Sequence, residues 1–195
     1  MKSKTLKLAI TGNIASGKSH VLKRLAKRYK IADSDSIVNS LYKKSFFKKM
    51  LKKKFGTFYK KKIAELIFKD KAKRKKLEII VWPLVRKNLE EFFARNKAKK
   101  AIIVEVQLLY EARMQDLFDL VIFIDCKKNN QLRRLLKLGF SRKEALARIN
   151  AQMPSFEKSK KADIVIENNG SLKQLNKKIE SLINILERIC FLVGY

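Results

Sequence analysis

The chain has 195 residues, 46% of them hydrophobic, which is enough for one compact domain with a sizeable core and too little for two large independent domains. Its 47 lysines and arginines outnumber 18 acidic residues, and the formal net charge of +29 attracts polyanions such as phosphorylated metabolites, nucleic acids or anionic lipids. Only Cys126, Cys190 and His20 supply sulfur or imidazole ligands, without metal-site spacing, so a disulfide framework or a structural zinc is not expected. The apolar segments Met1–Ile10 and Ile183–Tyr195 are too short or too charged for a signal sequence or a membrane span. We therefore expect a cytoplasmic protein with no membrane partner.

Short apolar runs alternate with amphipathic segments in the first half of the chain. Leu6–Thr11 predicts a strand that leads into an amphipathic helix, and Ile31–Asp33 predicts a second strand, after which Ser36 is the predicted N-cap of a helix. Ten lysines fall between Lys43 and Lys62, interleaved with aromatic and aliphatic residues at a spacing of three or four. This spacing favours short helices with a buried apolar stripe and solvent-exposed lysines. The alternative is that the lysine-rich surface also contacts an anionic substrate.

The second half of the chain continues the alternation. A helical pattern over Ala72–Arg95 contains Pro83, which predicts a break or a kink near Trp82. Ala101–Val106 and Leu120–Asp125 are continuous apolar runs, typical of parallel strands that helices cover on both faces. The last predicted elements are helices within residues 131–161, a strand over Asp163–Ile166, and a helix from about Ser171 to Cys190.

Gly12–Ser19 has the sequence G-N-I-A-S-G-K-S and matches the phosphate-binding P-loop pattern G-x-x-x-x-G-K-[ST] at every fixed position. Glycines let the backbone curl so that N–H groups point at phosphate oxygens, and the N-terminal end of the following helix adds positive potential. By these mechanics Lys18 reaches the β- and γ-phosphates of a nucleoside triphosphate, and the Ser19 hydroxyl binds Mg²⁺. The motif lies between a predicted strand and helix, so the predicted fold is α/β, a three-layer P-loop NTPase core with a five-stranded parallel sheet.

Asp33 ends the second predicted strand, where doubly wound α/β sheets bind their substrates. A carboxylate there is a candidate general base for an attacking hydroxyl, or a candidate metal ligand. The alternative is that Asp33 and Asp35 are only turn and capping residues. The chain has no N-K-x-D element for guanine recognition, which disfavours a GTPase.

The chain resembles the dephospho-coenzyme A kinase family over nearly its whole length. Six segments besides the P-loop resemble family elements, and their shared order and spacing carry the resemblance. The family's D-A-D resembles Asp33–Asp35, H-P-x-V-R resembles Trp82–Arg86, an acidic residue followed by P-L-L-F-E resembles Glu105–Glu111, Q-L-x-R resembles Gln131–Arg134, R-I-x-x-Q resembles Arg148–Gln152, and A-D-x-V-I-x-N-x-G resembles Ala162–Gly170.

This resemblance implies transfer of the ATP γ-phosphoryl group, with Mg²⁺, to the ribose 3′-hydroxyl of dephospho-coenzyme A, the last step of coenzyme A biosynthesis. It implies a single domain over 1–195 with a helical coenzyme-binding insertion at about 59–96 and a mobile lid at about 137–160, whose closure excludes water. The implied catalytic residues are Lys18, Asp33 as the base, Arg134 and Arg148. The implied ATP-binding residues are Gly12, Asn13, Ile14, Ala15, Ser16, Gly17, Lys18, Ser19, His20, Asn168 and Gly170, and those for the coenzyme substrate are Asp33, Arg86, Glu105 and Leu108.

Four positions depart from the family pattern: Trp82 replaces a histidine, Gln107 a proline, Tyr110 a phenylalanine, and Lys137–Phe140 stands one residue shorter than K-R-D-G-L without its arginine. A lysine ammonium is a point charge and does not reproduce the arginine fork at a phosphate. We therefore expect a weaker or slower lid, or compensation by Lys137, Arg133 or Arg142.

Three alternatives to this function are weighed on the residues alone. A P-loop kinase of another small alcohol or nucleotide would share the phosphate machinery, without the segment around Pro83–Arg86 to support it. A nucleic-acid-binding protein would explain the charge, but the lysines are scattered and not gathered in one recognition module, so no specific nucleic-acid partner is expected. An inactive relative is disfavoured by the intact Lys18, Ser19 and Asp33. A monomer or weak homo-oligomer is expected.

Overall fold

The computed structural model of the chain describes residues 5–192, apart from the side chain of Lys69. The first four and last three residues of the two terminal apolar segments lie outside this range. Strands and helices alternate as predicted over most of the chain. In order, they are β1 (Leu6–Gly12), α1 (Lys18–Leu25), β2 (Lys30–Asp33), α2 (Ser34–Leu41), α3 (Ser45–Phe55), α4 (Lys60–Lys69), α5 (Lys71–Arg95), β3 (Ala101–Glu105), β4 (Leu120–Asp125), α6 (Lys128–Lys137), α7 (Arg142–Asn150), α8 (Ser155–Ser159), β5 (Ile164–Glu167) and α9 (Leu172–Leu192).

The five strands form one parallel sheet in the order β2-β3-β1-β4-β5, which confirms the predicted fold class. In the centre, Ile10 of β1 lies opposite Glu105 of β3 and Ile122 of β4. The inner strands are almost wholly buried, because helices cover both faces of a parallel sheet. The strand that leads into Gly12 is therefore held on both sides, which gives the loop after it a rigid base.

The main core lies between the sheet and helices α1 and α9. Leu8 and Ile10 of β1 pack in one buried cluster with Val21 and Leu25 of α1. Helix α9 contributes buried side chains at a spacing of three or four to the same cluster, among them Ile179. This packing fixes the direction of α1, whose N-terminal end follows the P-loop.

The chain divides into two compact units, one made of residues 1–32 and 96–195 and the other of Asp33–Arg95. The second unit contains α2 to α5, and α2 packs against α5. Within it Phe47 and Leu51 are fully buried, Phe46 is exposed, and four of the five lysines of α3 are exposed. For Phe47 and Leu51 the buried-stripe interpretation is thus confirmed. Whether residues 59–96 bind the coenzyme stays a prediction.

Lys71–Arg95 forms one helix, α5, so the predicted break at Pro83 is wrong, and the alternative of a kink near Trp82 stays a prediction. Proline cannot donate to the carbonyl four residues earlier, that of Ile79. The Ile79 side chain is 65% exposed, so water can reach this side of the helix and satisfy the carbonyl. Continuous packing by Val81, Val85 and Leu89 outweighs the lost hydrogen bond.

The sequence predicted Ser36 as the N-cap of α2, and this prediction is wrong. The helix begins at Ser34 with Asp33 as its cap, because the Asp33 carboxylate accepts the N–H groups of Asp35 and Ser36.

No helix within residues 5–192 is long and apolar enough to span a membrane.

Candidate active site

The P-loop curls because two of its residues adopt the left-handed conformation. Ala15 has a φ of 56° and Gly17 a φ of 98°. Between them, the N–H of Ser16 donates to the Asn13 carbonyl at 3.1 Å and closes a tight turn. The loop then enters α1 at Lys18, where the first N–H groups have no acceptor within the helix. This arrangement makes the concave, N–H-lined surface that phosphate oxygens bind.

Both glycines of the motif are required by close contacts, and Gly17 also by its left-handed conformation. A Cβ atom on Gly12 would lie 2.7 Å from the Ile124 carbonyl oxygen of β4 and 2.8 Å from the Ser16 hydroxyl. A Cβ on Gly17 would lie 2.2 Å from Nδ2 of Asn168. The loop is therefore packed directly against β4 and the turn after β5.

The Lys18 side chain is folded back into the loop and is only 7% exposed. Its Nζ donates to the carbonyl of Gly12 at 2.8 Å and to that of Asn13 at 3.3 Å. These two bonds place the Lys18 ammonium at the centre of the P-loop, where a polyanionic phosphate would meet a charged hydrogen-bond donor.

The polar atoms around the loop fit a nucleotide phosphate with its metal ion. The Ser16 hydroxyl is buried and has no hydrogen-bond partner among residues 5–192. Ser19, on the first turn of α1, is exposed and presents its hydroxyl at the helix N-terminus. Within the same residues no cluster of three or more His, Cys, Asp or Glu side chains could hold a metal. A serine hydroxyl at the end of a helix is the kind of single ligand that Mg²⁺ takes from a protein when it keeps several waters and is bound largely by substrate phosphates.

Arg134 of α6 ties the P-loop to two neighbouring segments. Its Nη1 donates to the Ala15 carbonyl at 2.9 Å, and its Nη2 donates to the Asn168 carbonyl at 3.1 Å. The same Nη1 lies 3.4 Å from Sγ of Cys126. Burial raises the pKa of the Cys126 thiol, more than the Arg134 charge lowers it, so this sulfur is a neutral partner at neutral pH.

Asn168 and His20 hold the far side of the loop and α1. The Asn168 side chain donates to the Ser16 carbonyl at 2.7 Å, and the Asn168 backbone N–H donates to the backbone carbonyl of Asp125 at 2.8 Å. His20 Nε2 lies 2.8 Å from Oδ1 of Asn176 on α9. Gly170 is exposed at the turn after β5. The contacts of these residues with ATP stay predictions.

The predicted lid contains α7 and α8, and its charged residues other than Lys158 are exposed. Ser141 and Glu144 form a capping box that starts α7. Arg148, near the end of α7, stacks over the Phe140 ring, with 4.7 Å between its Cζ and the ring centroid. Lys137 is the last residue of α6 and is exposed, as are Arg133 and Arg142. Compensation for the missing family arginine by any of these three remains a prediction.

The remaining predicted residues lie in two places. Glu105 ends β3 and Leu108 lies in the turn that follows, and both are half-buried. Asp33 and Arg86 belong to the second compact unit, Asp33 as the cap of α2 and Arg86 half-buried on α5. Of the predicted site residues, the P-loop, Arg134 and Asn168 are in direct contact with one another, and all of them belong to the first unit.

Comparison with known proteins identifies the family of the chain that carries this P-loop site. A model of the dephospho-CoA kinase family matches residues 6–174. The chain belongs to the dephospho-CoA kinase family. It is 35% identical over 194 residues to the dephospho-CoA kinase of Lactobacillus johnsonii, covering 93% of this chain and 98% of that one. It is 34% identical over 183 residues to that of Fusobacterium nucleatum, covering 89% and 94%. The chain is therefore assigned to a family of kinases.

Solved structures agree with this assignment. The crystal structure of TT1252 from Thermus thermophilus superposes with a TM-score of 0.81 at 32% identity, covering 94% of this chain and 98% of that one. The dephospho-CoA kinase from Campylobacter jejuni gives a TM-score of 0.68 at 27% identity, covering 91% and 95%. A shikimate kinase from Bacteroides thetaiotaomicron, at 17% identity and a TM-score of 0.57, covers 93% and 98% and shows the shared fold alone.

Three residues that touch or support this dephospho-CoA kinase site received no role from the sequence. Gln152 accepts the Ile14 N–H, and Glu111 pairs with the fully buried Lys158. Gln152 and Glu111 end two of the family-like segments, so a signal for them existed in the motif pattern. Nothing distinguished Lys158 from the many exposed lysines of this chain.

Gly17→Ala is expected to damage both the fold and nucleotide binding. The left-handed backbone alone costs about 1–2 kcal/mol with a Cβ. Displacing the Asn168 amide from the buried Ser16 carbonyl adds about 1–3 kcal/mol. Urea unfolding and ATP titration measure the two effects.

Gly56→Ala is the matched control for this substitution. Gly56 also has a positive φ, 72°, but nothing lies within 4 Å of a Cβ there. It should show only the backbone cost and unchanged ATP affinity. Equal losses in both variants would contradict the close contact at Gly17.

Proposed function

We propose that this chain transfers the γ-phosphoryl group of ATP to the ribose 3′-hydroxyl of dephospho-coenzyme A, giving coenzyme A and ADP. The observation that carries the proposal is the buried ammonium of Lys18 inside a curled P-loop between β1 and α1. It occurs in a chain that spans nearly the full length of relatives named dephospho-CoA kinase. Such a loop binds the phosphates of a triphosphate. The name of the family indicates that the acceptor is dephospho-coenzyme A.

The chain's own residues hold and polarise ATP in this proposal. Lys18 exchanges carbonyl contacts for the β- and γ-phosphate oxygens, and its charge stabilises the transferring group where negative charge develops. Mg²⁺, when bound through the Ser19 hydroxyl and the phosphates, supplies further charge neutralisation. Arg134 and Arg148 offer guanidinium forks suited to phosphate oxygens. Asn168 and Gly170 contact the adenine.

Asp33 is the proposed general base for the 3′-hydroxyl. Its carboxylate already accepts the N–H of Asp35 at 2.9 Å, the N–H of Ser36 at 3.0 Å and the Ser36 hydroxyl at 2.8 Å. A carboxylate has about four lone-pair positions, so one remains for the hydroxyl proton. Its role as a helix cap therefore orients Asp33 and leaves it able to accept a proton.

The acceptor's other contacts come from the remaining predicted residues. Arg86, on α5, offers a fixed positive fork to the diphosphate of the coenzyme. Glu105 and Leu108 contact the acceptor at the end of β3. The lid at 137–160 excludes water, which would otherwise hydrolyse ATP.

An acceptor panel tests this proposal. Purified protein with ATP and Mg²⁺ is given dephospho-coenzyme A, adenosine, or a nucleoside monophosphate, and products are identified by mass. We expect product only with dephospho-coenzyme A. Phosphorylation of adenosine or a nucleotide, with no coenzyme A formed, would replace the proposal by a kinase of another small alcohol or nucleotide.

A further inference from the structure

The segment after the lid helix α7 is hydrogen-bonded to the first half of the P-loop. Oε1 of Gln152 accepts the Ile14 N–H at 2.7 Å. Nδ2 of Asn13 donates to the Ser155 hydroxyl at 3.0 Å and to the Met153 carbonyl at 3.4 Å. Asn13 is buried, so these bonds form away from bulk water, where each counts more.

A buried ion pair anchors the other side of this segment. Nζ of Lys158 on α8 lies 3.0 Å from Oε1 of Glu111, and the Lys158 side chain is fully buried. The same Glu111 oxygen accepts the Met153 N–H at 3.2 Å. Breaking such a pair leaves a buried charge and is strongly unfavourable. The ends of the segment Met153–Lys158 are therefore fixed to the turn after β3.

Helices α6 and α7 also pack on the same part of the loop. Leu135 of α6 forms a small core with Ala145 and Ile149 of α7. The side chains of Ile14 and Ala15 pack against this core. The first half of the P-loop therefore packs on α6 and α7 and is also hydrogen-bonded to the segment that follows α7.

We propose that Gln152 is a positioning residue for nucleotide binding, and this inference rests on the proposed function. By accepting the Ile14 N–H, Gln152 fixes the orientation of one peptide plane in the loop, which orients the peptides that follow it toward the phosphates. The Glu111–Lys158 pair keeps Gln152 in place. Gln152 lies four residues after Arg148, so the lid arginine and the loop are connected through one short segment.

Gln152→Met tests this role, because methionine keeps the length of the side chain and removes the acceptor. We expect the Ile14 amide to exchange its hydrogen about fivefold faster, as read by NMR, and ATP to bind about fivefold more weakly, the effect of one neutral hydrogen bond. KM for ATP should rise by the same factor, while kcat at saturating ATP stays within about twofold. Gln115→Met, at an exposed position before β4, is the matched control and should change none of these.

Three results would overturn the inference. They are unchanged ATP affinity despite faster Ile14 exchange, weaker affinity with unchanged exchange, and a fall in kcat alone. A melting temperature that falls together with exchange throughout α9 would show a general loss of structure and would also count against it. If the unmodified protein binds no ATP, the proposed function itself fails, and this outcome is distinguishable because ATP binding is measured without an acceptor.

Discussion

Lys18→Ala is expected to lower kcat by about 10²–10³-fold, the usual loss when one preorganised electrostatic group is removed from a transition state. ATP affinity should fall as well, by about 10–100-fold, because a charged hydrogen bond to phosphate is lost. Both effects follow from an ammonium that is buried in the loop and donates to the carbonyls of Gly12 and Asn13. Steady-state kinetics and ATP titration measure them separately.

Lys23→Ala is the matched control for this loss, since Lys23 lies on the same helix and is exposed. It should leave kcat and ATP affinity within about twofold of the unmodified enzyme, because exposed charges in water interact weakly. Equal losses in the two variants would mean that Lys18 acts only through the overall positive charge of the chain.

Asp33→Asn is expected to lower kcat by about 10²–10⁴-fold while ATP affinity stays unchanged. Asparagine caps helices about as well as aspartate, so α2 should remain folded and the change isolates proton acceptance from capping. Single-turnover phosphoryl transfer measures the first effect, and urea unfolding checks the second.

Asp70→Asn provides the control, because Asp70 caps α5 in the same manner. Its Oδ1 accepts the N–H groups of Ala72 at 2.8 Å and Lys73 at 3.1 Å. This variant should keep full activity. If Asp33→Asn also retains near-normal turnover, Asp33 is only a helix cap, and the general-base role is wrong.

Local patterns were sufficient to predict the sheet and the P-loop. Continuous apolar runs predicted β3 and β4 within one residue, because buried parallel strands have no polar face. The spacing of Gly12, Gly17, Lys18 and Ser19 predicted a curled loop, and the structure has it. These features depend on neighbours in sequence, which a single chain displays.

Features that depend on distant partners were not predictable. Pro83 was expected to break or kink the helix near Trp82, and α5 is not broken, because packing along the helix and access of water outweigh one lost hydrogen bond. Ser36 and Asp33 are both good caps by residue type, and only the structure shows that the Asp33 carboxylate caps α2. The pair of Glu111 and Lys158 joins residues 47 positions apart, and a lysine among many lysines carries no sign that it is buried.

The most direct test of the account is to locate the new phosphate after a reaction of the purified protein with ATP, Mg²⁺ and dephospho-coenzyme A. Phosphorus and proton NMR of the product distinguish a phosphate on the ribose 3′-hydroxyl from one elsewhere. We expect equal amounts of ADP and coenzyme A, with the phosphate on the 3′-oxygen alone. Formation of ADP without coenzyme A, or a phosphate at another position, would contradict it.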